Sequence, residues 1–324
     1  MEQIRKRIRR KRIQTNKMTQ LILMTRQSCN NNCIFCSEKS NKNKDMLSLE
    51  IINKIIKKHK SRDHLILMGE TTLRPDIINL LNIIQKEGFK TVSFMSNGRM
   101  LSNYEFCKKI VSLNTITDFL INTPAHKQET HEKITQVPGS FKQTKKAIQN
   151  LKKLKQYVAG YVIIIKENYE DLPKIADYLI ELNVDEVQPT FVFPLGYAKE
   201  RFDKFAPQYK KLMPYLENAI EKLKNKNVKI SINGIPSCII EKYGRMSVKF
   251  NSTMATYIKE VYEEKDFDYI DELEIDKKNV NNLKDIKTKF SQCKQCIKNN
   301  SCEGVWNRYA KEYGEKEFKP IKNE

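Results

Sequence analysis

The sequence predicts an α/β fold, an open (βα)6 barrel like an incomplete TIM barrel, on three observations. From residue 20 to about 190, short apolar runs alternate with amphipathic stretches, the pattern of repeated βα units. Helix-start and helix-stop residues fall between those runs. After Pro194 the periodicity changes: a helix at about 208–225 and a strand at 228–232 lead into a less regular region, so a boundary is placed near residue 230.

Each unit has its own justification. Leu21-Ile22-Leu23-Met24 is the first strand. Ser48 caps a helix whose inner face is Ile51, Ile52, Ile55 and Ile56. Leu65 to Met68 is the second strand, and Pro75 to Gly88 bound the next helix. Thr91 to Met95 is the third strand; Ser102 and Glu105 read as a capping box after it. Thr117 to Ile121 is the fourth strand, followed by a loop and a helix capped by Ser140 and Gln143 that runs to about Lys155. Val158 to Ile165 is the fifth strand, continuous enough for a buried parallel position. A helix at about 171–182 leads to the sixth, Asp185 to Thr190.

The 324 residues suffice for one large domain plus an appendage. No apolar run approaches the length of a spanning helix and nothing resembles a signal peptide, so a cytoplasmic protein is expected. The net charge is +20. Residues 1–19 form a basic arm, with Ile4 and Ile8 one helical turn apart. It reads as a solvated arm rather than a nucleic-acid contact, because no aromatics are interleaved for base stacking. Residues 260–276 are acidic and read as a solvated face or loop. Seven of the eight cysteines stand in ligand-like settings, which fits a reducing compartment and bound metal better than disulfides. The eighth, Cys107, reads as a small buried hydrophobe.

Three cysteines, Cys29, Cys33 and Cys36, follow the first strand at a C-x3-C-x2-C spacing. Three thiolates on so short a loop can converge on one centre, zinc or iron–sulfur, and leave one position open. With Phe35 before the third cysteine, the loop resembles the radical S-adenosylmethionine (SAM) signature C-x3-C-x-aromatic-C. The resemblance continues in order. Met68-Gly69-Glu70-Thr71-Thr72 is similar to that superfamily's Gly-Gly-Glu-Pro-Thr segment, with Met68 and Thr71 departing from it. Ser96-Asn97-Gly98-Arg99 is similar to its Thr-Asn-Gly turn.

The resemblance implies a [4Fe-4S] cluster on Cys29, Cys33 and Cys36, with SAM contacts from Phe35, Gly69, Glu70, Thr71, Ser96, Asn97, Asn122 and Ile165. His126 and His131 lie on the loop after the fourth strand and read as loop structure rather than proton-transfer groups.

Cys293, Cys296 and Cys302 form C-x2-C-x5-C, and Cys238 in Gly-Ile-Pro-Ser-Cys is the candidate fourth ligand. Four cysteines hold zinc equally well on spacing grounds. The region resembles the SPASM and twitch auxiliary-cluster domains of radical SAM enzymes, which implies a second [4Fe-4S] cluster and a small auxiliary-cluster domain over 230–324 beside the core at 20–229.

The implied activity is reductive SAM cleavage and hydrogen abstraction from a peptide or small-molecule substrate. Crosslink, thioether or epimerisation chemistry, or enzyme or cofactor maturation, would follow. The electron would come from a flavodoxin or ferredoxin. A molybdopterin-type GTP cyclase is disfavoured by the Lys322-Asn323-Glu324 ending and the shorter final cysteine spacing. RNA modification stays open because of the charge, as does a non-enzymatic zinc protein that binds nucleic acid.

Overall fold

The structure is a computed structural model, and it describes residues 20–26, 28–37, 46–59, 63–246, 287–300, 302 and 304–322. The basic arm and the acidic stretch at 260–276 lie outside the described residues.

Seven strands form one parallel sheet in chain order: β1 (Gln20–Arg26), β2 (His64–Gly69), β3 (Thr91–Ser96), β4 (Asp118–Asn122), β5 (Val158–Ile164), β6 (Glu186–Phe191) and β7 (Lys229–Ile230). The register is direct, with Leu21 opposite Leu65 and Phe94 opposite Phe119. Among the described residues β1 and β7 are not paired to each other, so the barrel is open. The strand expected after the sixth unit is therefore the sheet's own last strand.

The covering helices are α1 (Leu49–Lys58), α2 (Ile77–Glu87), α3 (Tyr104–Ser112), α4 (Gln128–Thr135), α5 (Ser140–Lys153) and α6 (Leu172–Glu181). Two single turns, α7 (Tyr197–Glu200) and α8 (Phe202–Phe205), precede the long α9 (Tyr209–Asn225). A short antiparallel pair, β8 (Lys287–Thr288) and β9 (Val305–Trp306), precedes α10 (Asn307–Tyr313). Among the described residues no helix is long and apolar enough to cross a membrane.

The local signals explain most starts and stops, and three of them need correction. Ser48 accepts from the Ile51 N–H and Gly88 closes α2 with φ +73, as expected. Pro75 stands in the turn before α2, which begins at Ile77 behind Asp76. The cap of α3 is Asn103, whose side chain accepts from the Phe106 N–H, while Ser102 Oγ turns back onto the Arg99 carbonyl. Ser140 is the first residue of α5, behind Gly139 at φ +80, and its hydroxyl lies 2.7 Å from Thr135 Oγ1. A serine whose hydroxyl has a partner elsewhere is not available to cap.

The core lies between strands and helices, where alternate strand residues such as Leu65, Leu67, Phe94, Phe119 and Val162 meet the buried helix faces. Cys107 is fully buried in it, as read from the sequence. The opposite strand faces line the barrel interior. They are polar at its lower end, where His64, Ser93 and Asp118 are hydrogen-bonded in series and Glu186 holds Ser231 and Tyr157. Higher up, Leu120, Ala159 and Tyr161 form a small apolar cluster.

The C-terminal segment packs on the barrel. Tyr309 stacks on Tyr209 at 4.3 Å between ring centroids, and its hydroxyl accepts from the Tyr209 N–H at 2.7 Å. Glu317 accepts from the Lys210 N–H at 3.0 Å and from the Tyr309 hydroxyl, so a carboxylate from the end of the described chain caps α9.

Candidate active site at the strand ends

The cysteine loop leaves the C-terminal end of β1, where the register shifts between Met24 and Arg26. Barrel sites gather at this end of the strands. Four neighbours hold the loop. From β2, Arg74 is 2 % exposed and donates to the Thr25 and Leu47 carbonyls at 2.7 and 2.8 Å while pairing with Asp76. Its partners satisfy the guanidinium that burial would otherwise leave costly. Arg26 reciprocates, donating to the Leu73 carbonyl at 2.9 Å and to Ser28 Oγ at 2.7 Å.

From β3, Asn97 Nδ2 donates to Asn30 Oδ1 at 2.7 Å and to Cys29 Sγ at 3.3 Å, and Arg99 donates to the Asn30 carbonyl. From α4, the Thr135 and Ile134 carbonyls accept from Asn32 and Ile34 at 2.9 and 3.0 Å. From the β6 end, the Tyr197 N–H donates to the Cys36 carbonyl at 3.2 Å. Gly196 permits that approach: at φ +50, a Cβ there would lie 1.7 Å from the Ser37 oxygen. Gly69 does the same at β2, where a Cβ would lie 1.9 Å from the Arg26 oxygen.

Glu70 ties β2 to β3. It is 3 % exposed; Oε1 accepts from Ser96 Oγ at 2.8 Å and from Thr72, and Oε2 accepts from the Asn97 N–H at 2.8 Å. Burial raises its pKa and the hydrogen bonds from Thr72, Asn97 and Ser96 oppose that. Thr144 Oγ1 on α5 then donates to the Asn97 carbonyl at 2.9 Å, fixing the turn from behind.

The three cysteines feel one another. Burial pushes the Cys33 thiol up, and the charges of Cys36 and Cys29 push it further. Burial and then Glu70 raise Cys29. Such mutually repelling thiolates suit a cationic metal group. Among the described residues no three His, Cys, Asp or Glu side chains already stand close enough together to grip a metal ion.

The comparisons decide the family. Residues 25–179 match the radical SAM superfamily. These residues are a radical SAM domain. SuiB of Streptococcus suis bound to S-adenosylmethionine shares the fold, with TM-score 0.64 and 15% identity over 93% of this chain and 76% of that one. The structure of anSMEcpe with bound AdoMet and Kp18Cys peptide is similar at TM-score 0.54 and 19% identity, covering 66% of this chain and 63% of that one. A Sulfurisphaera tokodaii protein named probable GTP 3',8-cyclase is 27% identical over 179 residues, 54% of this chain and 56% of its own length. The match thus spans about half of that curated relative. The family implies SAM and a [4Fe-4S] cluster as cofactors.

Within the radical SAM domain, Asn97 reaches Cys29, Glu70 holds Asn97 and Ser96, and Gly69 lies against the Arg26 carbonyl. Thr71 is buried, with Oγ1 2.6 Å from Thr25 Oγ1, and so braces β1. Phe35 packs against the core. Asn122 ends β4 with its Oδ1 buried and unpartnered. That orphan acceptor in the barrel interior fits a cofactor carrying hydroxyl or amino donors. Ile165 is buried in the outer core and its N–H is taken by Asn168 Oδ1 at 2.8 Å.

The expectation of a loop at His131 is corrected. It lies in α4, 1 % exposed and edge-on to Phe141, and burial lowers its pKa to about 4. His126 does lie in the β4–α4 loop, 3.9 Å from Asp171. The sequence reading missed the braces Arg74, Arg99, Thr144 and Gly196. A Gly beside a Pro-Leu strand exit was the one available signal, and nothing marked the arginines as buried.

The second cysteine group lines a small open pocket, Cys238, Cys293, Cys296 and Cys302 with Lys289, Lys298 and Lys319. Burial pushes Cys238 up to about 12, and Cys302, Cys293 and Cys296 raise it further. The four cysteines supply the donor type of a closed zinc or iron–sulfur centre, without standing within gripping distance of one ion.

Proposed function

We propose that the protein is a radical SAM peptide-modifying enzyme with an auxiliary cluster. The observation that supports it most is the Cys29–Asn97–Glu70 chain of contacts, which joins the ends of β1, β2 and β3 into one site. When bound on Cys29, Cys33 and Cys36, a [4Fe-4S] cluster would supply one electron to the SAM sulfonium and release methionine and a 5′-deoxyadenosyl radical that takes hydrogen from substrate.

The chain's own residues bind and position. The loop's backbone, held by Arg99, Ile134 and Thr135, sets where the three thiolates stand. Gly69 lets the β2 backbone approach the Arg26 carbonyl at the exit of β1. Glu70 holds the Asn97 turn, and Asn122 Oδ1 offers an acceptor from β4.

Cys238, Cys293, Cys296 and Cys302 would hold an auxiliary cluster, which would supply an electron acceptor or an anchor for the substrate. The domain division at residue 230 is kept in this reading. A peptide substrate is preferred because structures sharing this fold were solved with peptides, SuiB with the precursor peptide SuiA and anSMEcpe with the Kp18Cys peptide. A flavodoxin- or ferredoxin-type protein supplies the electron, and the location is cytoplasmic.

A second reading is a nucleotide substrate, as the name of the Sulfurisphaera tokodaii relative suggests. Lys289, Lys298 and Lys319 around the four-cysteine cavity suit an anion.

The test is iron and sulfide per chain after anaerobic reconstitution, with 5′-deoxyadenosine assayed after adding dithionite and SAM. About eight irons are expected for two four-iron clusters. Absence of both iron and 5′-deoxyadenosine would overturn the enzyme reading in favour of a zinc protein. GTP and a library of short peptides then compete for product formation.

A further inference from the structure

Helix α5 carries an unusual charge pattern. Residues 140–155 hold six lysines and no acid. Ser140, Thr144, Ala147, Ile148 and Leu151 are buried against the barrel, so Lys142, Lys145, Lys146 and Lys153 are left on the outer side. Lys152 pairs with Asp185 and Lys153 lies over the Tyr104 ring. Lys142, Lys145 and Lys146 are exposed and form no ion pair among the described residues. They repel one another at i,i+3 and i,i+4 spacing, and they sit in the N-terminal half of the helix, where the dipole disfavours cations. The fold gains nothing from them.

Their position relative to the cysteine loop gives them a use. Gln143, between Lys142 and Thr144, accepts from Arg99 Nε at 2.6 Å. Arg99 in turn donates to the Asn30 carbonyl next to Cys29. One residue thus separates the lysine face from a direct hydrogen-bond link to the metal-binding loop. Thr144, on the buried side of the same turn, holds the Asn97 carbonyl. A protein docked on this face is joined to the cysteine loop through Gln143 and Arg99.

We infer that the lysine face of α5, with Lys142, Lys145 and Lys146 at its centre, is the docking surface for an acidic one-electron donor protein. The inference rests on the radical SAM reading above. The donor loses one electron, and the group on Cys29, Cys33 and Cys36 gains it; no bond or proton changes hands in this step. Complementary charge would act chiefly on encounter, so the association rate should fall steeply with salt. The basic face fits RNA by charge alone, but RNA has no need of a link to the cysteine loop.

The experiment uses the reconstituted full chain, a reduced flavodoxin as the acidic donor, and two charge-matched double variants. One is Lys142→Glu/Lys146→Glu on α5. The other is Lys211→Glu/Lys226→Glu on the exposed side of α9. Association is followed by stopped flow at rising NaCl, and 5′-deoxyadenosine is measured with flavodoxin and with dithionite separately. The α5 variant should associate about 10-fold more slowly at low salt and lose most of the salt dependence. Its dithionite-driven rate should match wild type, and the α9 variant should behave as wild type throughout. Lys142→Gln/Lys146→Gln, a milder change, should give an intermediate rate and guards against misfolding.

Equal slowing in both Glu variants would overturn the assignment, because net charge would then be acting. So would an α5 variant that binds flavodoxin normally but loses affinity for a single-stranded RNA probe. If wild type forms no 5′-deoxyadenosine even with dithionite, the radical SAM reading fails; the stopped-flow comparison still decides the docking face.

Discussion

Asn97 and Cys29 meet at 3.3 Å, with the amide Nδ2 aimed at the sulfur, although 68 residues separate them. The Asn97 main chain is held at the same time by Glu70 and by Thr144, from two further elements. The turn therefore reports on three strands at once.

Replacing Glu70 with Gln should damage that turn without changing side-chain volume. Three donors converge on the carboxylate, and an amide NH2 placed among them leaves one donor unpaired. The cost is about 1–3 kcal/mol. A lower melting temperature and weaker SAM binding by equilibrium dialysis are expected; an unchanged variant would show that the carboxylate does not set the turn.

Three glycines with positive φ should separate by their surroundings. Gly69→Ala and Gly196→Ala put a Cβ onto main-chain oxygen at 1.9 and 1.7 Å, so both should lose iron from the loop on reconstitution. Gly88→Ala meets nothing within 4 Å and should lose only about 1–2 kcal/mol from its left-handed backbone, with iron content intact. Iron analysis beside thermal melts distinguishes the classes.

The two cysteine groups should part cleanly. Cys33→Ala should abolish 5′-deoxyadenosine formation. Cys238→Ala should remove about four irons if the second centre is a [4Fe-4S] cluster, and none if it is zinc. Metal analysis of both variants reads this directly.

The pH response of His131 follows from its burial. Its pKa falls from 6.5 to about 4 on folding, because desolvation outweighs the attraction of Glu132 and the Ala125 backbone. A base that binds its proton more tightly when unfolded favours unfolding in acid. The stability it leaves intact above about pH 6.5 is lost as pH falls towards 4. The full span is roughly 3 kcal/mol. His131→Leu should flatten the fall, so melts of both proteins from pH 8 to pH 5 should diverge at the acid end. Parallel curves would show that His131 does not titrate there.

At the C-terminal clamp, Glu317→Ala would strip the Lys210 N–H and the Tyr309 hydroxyl of their acceptor. A loss of about 1–3 kcal/mol is expected in urea unfolding. An unaltered midpoint would mean that water replaces the carboxylate at no cost.

Much of the barrel was legible because each strand is a short apolar run with its own stop. Ser48, Gly88 and the Ile51–Ile56 face carried their usual meaning. Helix α4 was not legible. It has no side-chain cap at Lys127, it is mostly polar, and it ends on Gln136 in the left-handed region rather than on glycine. Only Ile134 and His131, one turn apart and both buried, hinted at it. Ser102 and Ser140 failed as caps for a local reason: each hydroxyl had a nearer partner. In the site, the cysteines and the Gly-Glu and Asn-Gly pairs were legible from order and spacing. Arg74 and Arg99 were not, because an arginine looks exposed until tertiary structure supplies the carbonyls that take its protons.

The stacking of Tyr209 on Tyr309 spans 100 residues of chain, whereas β1 to β7 pair only with the strand before or after. The two kinds of contact come due at different moments of synthesis. The strands can add one by one as the polypeptide lengthens, each closing only a short loop. The Tyr209 ring and the exposed start of α9 must wait for a partner about a hundred residues later, at a ribosomal rate of roughly 5–20 residues per second. For several seconds the nascent barrel carries an uncovered aromatic face on its last helix, and the cysteine loop on β1 is already in place when the four-cysteine cavity begins to form.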